Sequence, residues 1–542
     1  MKRSNHFRNL ILLWVAATLL LGACQPQPAW EDVKDPIWWH DAVFYEIFVR
    51  SYADSDGDGI GDFKGLTEKL DYLNDGDPET DDDLGITGIW LMPIHPSPSY
   101  HGYDVQDYLA VNPQYGTMEE FQTFLAEAHA RGMRVIIDFV INHTSIEHPW
   151  FAASADGDTR YRDYYVWSES DPDYTGPWGA EAWHQTESGY YYGVFNSSMP
   201  DLNHENPQVV QEVRDIADYW LTQVGVDGFR IDGAKHLIEE GQEQENTDAT
   251  HAWFGDFYAY YKETAPEAMT VGEIWNDSRT ASEYVDNGEM DLTFNFELSD
   301  DIISGVTFRD ANRVSRSLVL QEREFDPGWY AAFLTNHDMT RLMTKIGGEW
   351  SRAKAAATVL LTSPGVPFIY YGEEIGMTGD KPDELLRTPM QWTAGEQAGF
   401  TSGTPWARVN LDYTQKNVED EAADPDSLLN HYRQLIRIRN DHYALRSGDL
   451  IEVKTGERSL LAILRVAEKE AVLVLINLSD DPIENVSLSW EASSLSGSLK
   501  PVILLGDGQV PTLAVNAAGG VEGFQALPEM DANQNLIVQF VR

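Results

Sequence analysis

Four apolar stretches of the chain each run into polar residues that can move protons or hold charge. Residues 133–141 lead to Asn142 and His143, and residues 226–231 carry Arg230 and lead to Asp232. Residues 269–271 lead to Glu273, and residues 331–334 to Asn336, His337 and Asp338. Gathered in one place, three carboxylates, two imidazoles and a guanidinium suit the hydrolysis of a glycosidic bond. That reaction needs a proton for the leaving oxygen and a nucleophile or water at the anomeric carbon. Two carboxylates in unlike surroundings can divide these roles. Beside Arg230, Asp232 is expected to stay ionised, as a nucleophile must. Glu273 lies between Val271 and Ile274-Trp275, which is expected to favour its protonated form and suit it as the acid.

Such a gathering needs strands that end on one rim. Residues 43–49, 86–92, 292–296 and 367–371 are further strand candidates, making eight, separated mostly by helical stretches. Phe121, Phe124, Leu125 and Ala128 form the apolar stripe of a helix over residues 119–131, with Gly132 after it. Asn206 and Pro207 open another helix, with Val209, Val213, Ile216 and Trp220 on its apolar side and Gly225 at its end. Eight βα units point to an α/β fold, a parallel (β/α)8 TIM barrel, whose chemistry sits at the C-terminal ends of its strands. Residues 142–206, rich in Tyr, Trp, Gly, Asp and Ser with little periodicity, read as a small subdomain inserted after strand 3. From about residue 442 the apolar period becomes two, which predicts a C-terminal antiparallel β-sandwich over 442–542. The barrel then comprises residues 36–141 and 207–441.

Together the motifs Asp138-Phe139-Val140-Ile141-Asn142-His143, Gly228-Phe229-Arg230-Ile231-Asp232-Gly233-Ala234-Lys235-His236, Gly272-Glu273-Ile274-Trp275 and Thr335-Asn336-His337-Asp338 resemble those of glycoside hydrolase family 13, the α-amylase family. The resemblance runs in order from about Trp39 to Arg439. It implies Asp232 as nucleophile, Glu273 as acid/base and Asp338 as transition-state stabiliser. It also implies that His143 and His337 bond the sugar at the cleavage point, that Arg230 orients Asp232, that Tyr103 stacks beneath that sugar, and that Lys235 and His236 contact the next glucose. The family retains anomeric configuration, so the Asp232 and Glu273 carboxyls are expected ~5–5.5 Å apart.

Met199-Pro200-Asp201-Leu202-Asn203 resembles the motif of a group intermediate between oligo-1,6-glucosidases and neopullulanases, which includes bacterial lipoprotein α-amylases. Lys235-His236 is also amylase-like. Exo-acting glucosidases of the family carry Asp three residues before the stacking Tyr, where this chain has Tyr100. The expectation is an endo-acting retaining α-1,4-glucanase acting on starch-like α-glucans and maltooligosaccharides. An α-glucosidase, oligo-1,6-glucosidase or neopullulanase on the same barrel is the alternative, and a non-catalytic surface glucan-binding lipoprotein is the alternative outside enzymes.

Asp54, Asp56, Asp58 and Asp62, interleaved with glycines, form a loop able to wrap oxygens around a hard cation, with Ile60 giving its carbonyl. It is not an EF-hand, because position 12 is Gly65 rather than Glu. Ca2+ is the expected ion, as in several family members, and a second one near Asn142 stays open without assigned ligands. Residues 75–83 read as a solvated acidic loop.

Lys2, Arg3 and Arg8 precede a twelve-residue apolar run, residues 10–21, too short for a membrane-spanning helix at ~20 residues. Leu21-Gly22-Ala23-Cys24 resembles a lipobox. Residues 1–23 are therefore expected to be a lipoprotein signal peptide, Cys24 the lipidated residue, and residues 24–35 a tether. The protein would be exported and held by that lipid on a bacterial membrane, facing outward from the cytoplasm. Cys24 is the only cysteine, so an intramolecular disulfide and a four-cysteine zinc site are excluded. A net charge of −50 argues against nucleic acid, and 12% aromatic residues against disorder. A monomer is expected.

Overall fold

The computed structural model describes residues 37–468 and 470–542. The signal peptide, Cys24 and the tether lie outside the described residues. Eight parallel strands form the barrel: β1 (Phe44–Ile47), β2 (Gly88–Leu91), β3 (Arg134–Phe139), β4 (Gly228–Ile231), β5 (Met269–Gly272), β6 (Leu292–Thr293), β7 (Ala331–Phe333) and β8 (Val366–Tyr370). The hydrogen-bonded order is β7-β8-β1-β2-β3-β4-β5-β6. A parallel bridge between Phe294 and Ala331 joins the two ends, closing the cylinder as the (β/α)8 reading requires.

Side chains fill the barrel rather than leaving a pore. Phe44, Trp90, Ile136, Val271, Phe294, Phe333 and Phe368 share one buried cluster, with Phe44 and Phe368 stacked at 4.4 Å. Gly88 opens β2 because a Cβ there would stand 2.6 Å from the Phe44 ring. Trp39 belongs to the same cluster, and the short turn Trp38–Asp41 crosses the N-terminal ends of the strands. There Trp38 donates to the Glu267 carbonyl (2.8 Å) and the Arg134 guanidinium lies over its ring. The opposite end of the barrel is left for chemistry.

The helices form where capping and apolar spacing agree. Thr117 and Glu120 make a reciprocal capping box on Met118–Ala130, which buries Phe121, Phe124, Leu125 and Ala128 against the sheet. Asn206 caps Pro207–Asp218 by accepting from the Gln208 amide. The helix expected to run on to Gly225 instead widens into a π-turn over Tyr219–Val224, with Trp220 fully buried and donating to the Tyr108 carbonyl. Residues 292–296 are strand for only two residues, because Asn295 caps Phe296–Phe308 and draws Phe296 into that helix.

After β3 the inserted segment folds as a short helix, Pro149–Ala155, and a three-stranded antiparallel sheet of Trp167–Ser168, Gly189–Tyr192 and Trp183–Thr186. Packing of Phe151, Tyr164, Tyr165, Tyr191 and Leu202 accounts for much of its aromatic content. The C-terminal part is antiparallel throughout: a six-stranded sheet faces the ribbon Ile483–Trp490 and Val521–Met530 across an apolar core. Two of its strands, Ser498–Leu505 and Val521–Met530, break the simple alternation, the first exposing Val502 and Ile503 and the second containing register shifts. Arg439 and Arg465 join barrel and sandwich. Both are buried, and their guanidinium groups donate to the carbonyls of Leu361, Thr362, Ser363 and Gly365 at the end of helix Trp350–Thr362. Those carbonyls would otherwise be orphaned at the helix terminus. Among the described residues no helix is long and apolar enough to cross a membrane.

Candidate active site

Alternation along β4 turns Arg230 into the barrel and brings Asp232, two residues on, to the same side at its mouth. The Arg230 guanidinium, 1% exposed, binds three carboxylates, one from β3, one from the end of its own strand β4 and one from the end of β5. Its Nη1 donates to Asp138 Oδ1 (2.7 Å) and Asp232 Oδ1 (2.6 Å), and its Nη2 to Glu273 Oε2 (2.7 Å). Asp232 and Glu273 are thus held on the two nitrogens of one planar fork, which fixes their mutual position. The Gly233 amide also donates to Glu273 Oε2 (3.0 Å). Gly233 adopts φ +51, and a Cβ there would stand 2.6 Å from the Phe195 ring, so glycine is required.

The far wall comes from β7, β1 and the segments after β2 and β8. His337 bonds Glu46 Oε1 through Nδ1 (2.6 Å), while Nε2 lies 2.6 Å from Tyr103 Oη and 3.1 Å from Asp338 Oδ2. Tyr103 Oη donates on to Asp138 Oδ2 (3.2 Å), which also accepts from Trp90 Nε1 (3.2 Å). Arg387 Nη2 donates to Asp338 Oδ1 (2.6 Å) and its Nε to the His337 carbonyl (3.0 Å). His143 is buried with Nε2 3.1 Å from the Tyr103 carbonyl, and its Nδ1 has no hydrogen-bond partner. All the residues expected around the cleavage point therefore meet at one end of the barrel.

Burial and neighbouring charges act differently on the three carboxylates. Burial pushes the Asp232 carboxyl above its ordinary value; Arg230 opposes this and nearby Asp338 adds to it. Asp232 is therefore harder to ionise than its position beside Arg230 suggests. Glu273 is raised as expected, chiefly by burial, with the charges of Asp232 and Asp338 adding to it and Arg230 opposing. Asp338 behaves oppositely. Burial would raise it, yet His337 and Arg387 hold it far below the usual carboxylate range. Against the pull of burial, Asp338 and Glu46 keep the His337 imidazole up at about 9. Burial lowers His143 to about 4 and lifts Asp138 to about 7.

Beyond Glu273 opens a cavity of ≈330 Å³ lined by Trp178, Phe195, Lys235, His236 and Trp275. Trp275, 48% exposed, is stiffened by stacking on Phe296 at 4.5 Å, and Trp178, 58% exposed, packs on Phe195 and His236. Lys235 Nζ pairs with Glu245 (2.7 Å) and donates to the Trp275 carbonyl (3.1 Å); His236 Nδ1 bonds the Gln244 carbonyl (2.9 Å). On the other flank Tyr100 stacks on Trp406 at 5.2 Å. Trp178 was one of many tyrosines and tryptophans in the inserted segment, and only packing separates it from the rest. Glu46 and Arg387 carry no sequence motif, although Glu46 lies two residues after Phe44 on the inward face of β1.

Of the expected cation loop, Asp54, Asp56 and Asp58 offer oxygens within 4.8 Å of one another. Asp62 does not join them, because it caps helix Phe63–Glu68 through the Gly65 amide (2.7 Å) and accepts from the Ser55 amide (2.8 Å). Although burial opposes it, the Thr401 hydroxyl and the amides of Gly57, Gly59 and Asp56 hold the Asp54 carboxyl low, leaving it charged. The loop packs on the segment before Trp406: Trp406 donates its amide to the Gly59 carbonyl (2.9 Å), and a Cβ on Gly59 would stand 1.9 Å from the Thr404 carbonyl. A second oxygen set lies under the inserted segment. Asn142 Oδ1, Asp201 Oδ2 and Glu239 Oε1 are buried without hydrogen-bond partners, and burial lifts Glu239 to about 8. Asp201 and Glu239 interact electrostatically, so both sets fit a hard cation.

The model of the α-amylase catalytic domain matches residues 46–448. The chain belongs to the α-amylase family of glycoside hydrolases. It is 42% identical over 477 residues to "Alpha-amylase 3" of Dictyoglomus thermophilum, covering 87% of this chain and 90% of that one. It is 35% identical over 521 residues to "Probable oligo-1,6-glucosidase 2" of Bacillus subtilis, covering 82% and 91%. Among solved structures, the α-amylase from H. orenii superimposes with a TM-score of 0.80 at 41% identity, covering 92% of this chain and 99% of that one. Family members thus include both amylases and 1,6-glucosidases at comparable coverage, and the protein is a glycosidase of this family.

Proposed function

We propose that the protein hydrolyses internal α-1,4 bonds of starch-like glucans and maltooligosaccharides with retention of configuration. Glu273, raised by burial and by its acidic neighbours, protonates the leaving oxygen while Asp232 attacks the anomeric carbon. Water, deprotonated by Glu273, then releases the sugar from Asp232. Asp338, held charged by His337 and Arg387, stabilises the positive charge that develops at the ring. His143 and Tyr103 seat the ring. The observation that carries this reading is the single Arg230 fork gripping both Asp232 and Glu273.

Two features support internal cleavage. The cavity past Glu273, with its exposed Trp178 and Trp275, offers stacking faces for glucose units on the leaving side, beside Lys235 and His236. Tyr100 and Trp406 give the opposite flank an aromatic wall without a carboxylate at position 100 to grip a chain end. A 1,6-glucosidase is the second reading, favoured by the 35% identity to a relative of that name.

Calcium bound by Asp54, Asp56 and Asp58, with the Ile60 carbonyl, would brace the 401–406 segment and so the Tyr100–Trp406 wall. A second ion would neutralise Asp201 and Glu239 beneath the inserted segment. An anchor at Cys24, as the lipobox suggests, would hold the exported protein on a bacterial membrane, facing outward from the cytoplasm.

The test is product analysis on soluble starch, pullulan and isomaltose, with and without a calcium chelator. Starch should yield mixed maltooligosaccharides with a rapid fall in iodine staining, and isomaltose should be left intact. Chelation should raise KM for long glucans more than it lowers kcat. Glucose as the sole early product, or ready cleavage of isomaltose, would contradict the internal 1,4 reading.

A further inference from the structure

Glu46 is the one carboxylate of the site that no sequence motif marks. It stands on β1, 2% exposed, and its Oε1 lies 2.6 Å from Nδ1 of His337, which is itself fully buried. On the other side of that ring Nε2 faces Asp338 Oδ2 (3.1 Å) and Tyr103 Oη (2.6 Å). The Tyr103 hydroxyl can donate either to Asp138 or to Nε2, so it does not by itself decide the charge of the ring. Each ring nitrogen nevertheless faces a carboxylate, Nδ1 facing Glu46 and Nε2 facing Asp338, and both can donate to these only if both carry a proton. With a neutral ring, one of the two carboxylates would face a nitrogen lone pair.

We propose that Glu46 is a positioning residue for the glycosidase reaction: it holds His337 as a doubly protonated ring, so that Nε2–H orients the Asp338 carboxylate and the Tyr103 hydroxyl at the cleavage point. The inference rests on the roles assigned above to Asp338 and Tyr103. Other charges face the ring as well. Asp338 lies beside it, Asp138 on β3 and Asp232 after β4 act from across the barrel, and Arg387 donates to its carbonyl. Of the two carboxylates that touch the imidazole, Asp338 is 31% exposed at the mouth and already bound to Arg387. Glu46 is buried behind the ring, where its charge is less screened by water. Removing that charge while keeping the shape should therefore make the ring lose its proton at lower pH, with Asp338 losing its donor at the same point.

The test is Glu46→Gln, read two ways. Imidazole resonances of ring-labelled His337, assigned by their loss in a His337→Gln sample, should titrate near 9 in the native protein and at least about one unit lower in Glu46→Gln, toward the ordinary ~6.5. The ratio of variant to native kcat/KM on a maltooligosaccharide should fall by on the order of tenfold between pH 6 and pH 8.5. An unmoved titration would overturn the proposal, as would a loss of activity that is the same at every pH, since a purely structural role predicts that. If the native protein cleaves no glucan at all, the proposed function falls, while the titration still reads the Glu46–His337 pair.

Discussion

Asp232→Asn is expected to lower kcat on maltooligosaccharides by on the order of 10⁴-fold or more, the scale on which loss of a nucleophile acts, while the fold persists. Asn keeps the shape and can still accept from Arg230 Nη1, so the cost falls on chemistry rather than packing. Binding of starch should survive, because Trp178, Trp275, Tyr103 and His143 are untouched. Glu273→Gln is expected to cost ~10²–10⁴-fold, and much less on glycosyl fluorides, whose leaving group needs no proton. Initial-rate kinetics with both substrate types checks the pair. An Asp232→Asn enzyme that keeps a tenth of native activity would remove Asp232 from the mechanism.

The second large effect is on stability. Arg230→Met leaves Asp138, Asp232 and Glu273 at the bottom of a buried site with no guanidinium between them. Breaking a buried ion pair from one side costs about 3–5 kcal/mol, and three partners are affected here. The pH dependence follows from the sign of the linkage. Without Arg230 the folded-state values of these carboxyls rise further above their unfolded values. Stability is then present while they are protonated and is lost as pH rises through the folded values. Arg230→Met should thus melt closest to the native protein near pH 4 and furthest from it near pH 8, as calorimetry across that range would show. Arg230→Lys restores a charge but not the two-pronged geometry, so it should recover part of the stability and little of the activity.

How much of this was legible in the sequence depends on how local each signal is. The eight strands announce themselves because each is a short apolar run, and the capped helices because Thr117-x-x-Glu120 and Asn206-Pro207 are complete within one turn. The strand-end residues Asp232, Glu273 and Asp338 follow once the barrel is accepted, since the fold decides which end of each strand they share. What stayed hidden is what depends on long-range approach. Glu46 meets His337 across 291 positions, and Arg387 meets Asp338 from a loop after β8. The ionisation of Asp232 illustrates the same limit. Its neighbour in sequence, Arg230, favours the charged form, but burial and Asp338 oppose it, and neither is visible two residues away. Asp62 has the right type and spacing for a cation ligand, yet helix capping claims it.

The central claim is that Asp232 and Glu273 act across one anomeric centre, held there by Arg230. Its most direct test is the mass of Glu273→Gln after incubation with an α-maltosyl fluoride, which requires no acid to form a covalent intermediate but needs Glu273 as the base to release it. The account predicts that one maltosyl unit accumulates on the peptide containing Asp232, and that azide discharges it. An unlabelled protein that still turns the fluoride over, or a sugar found on any other carboxylate, would contradict it.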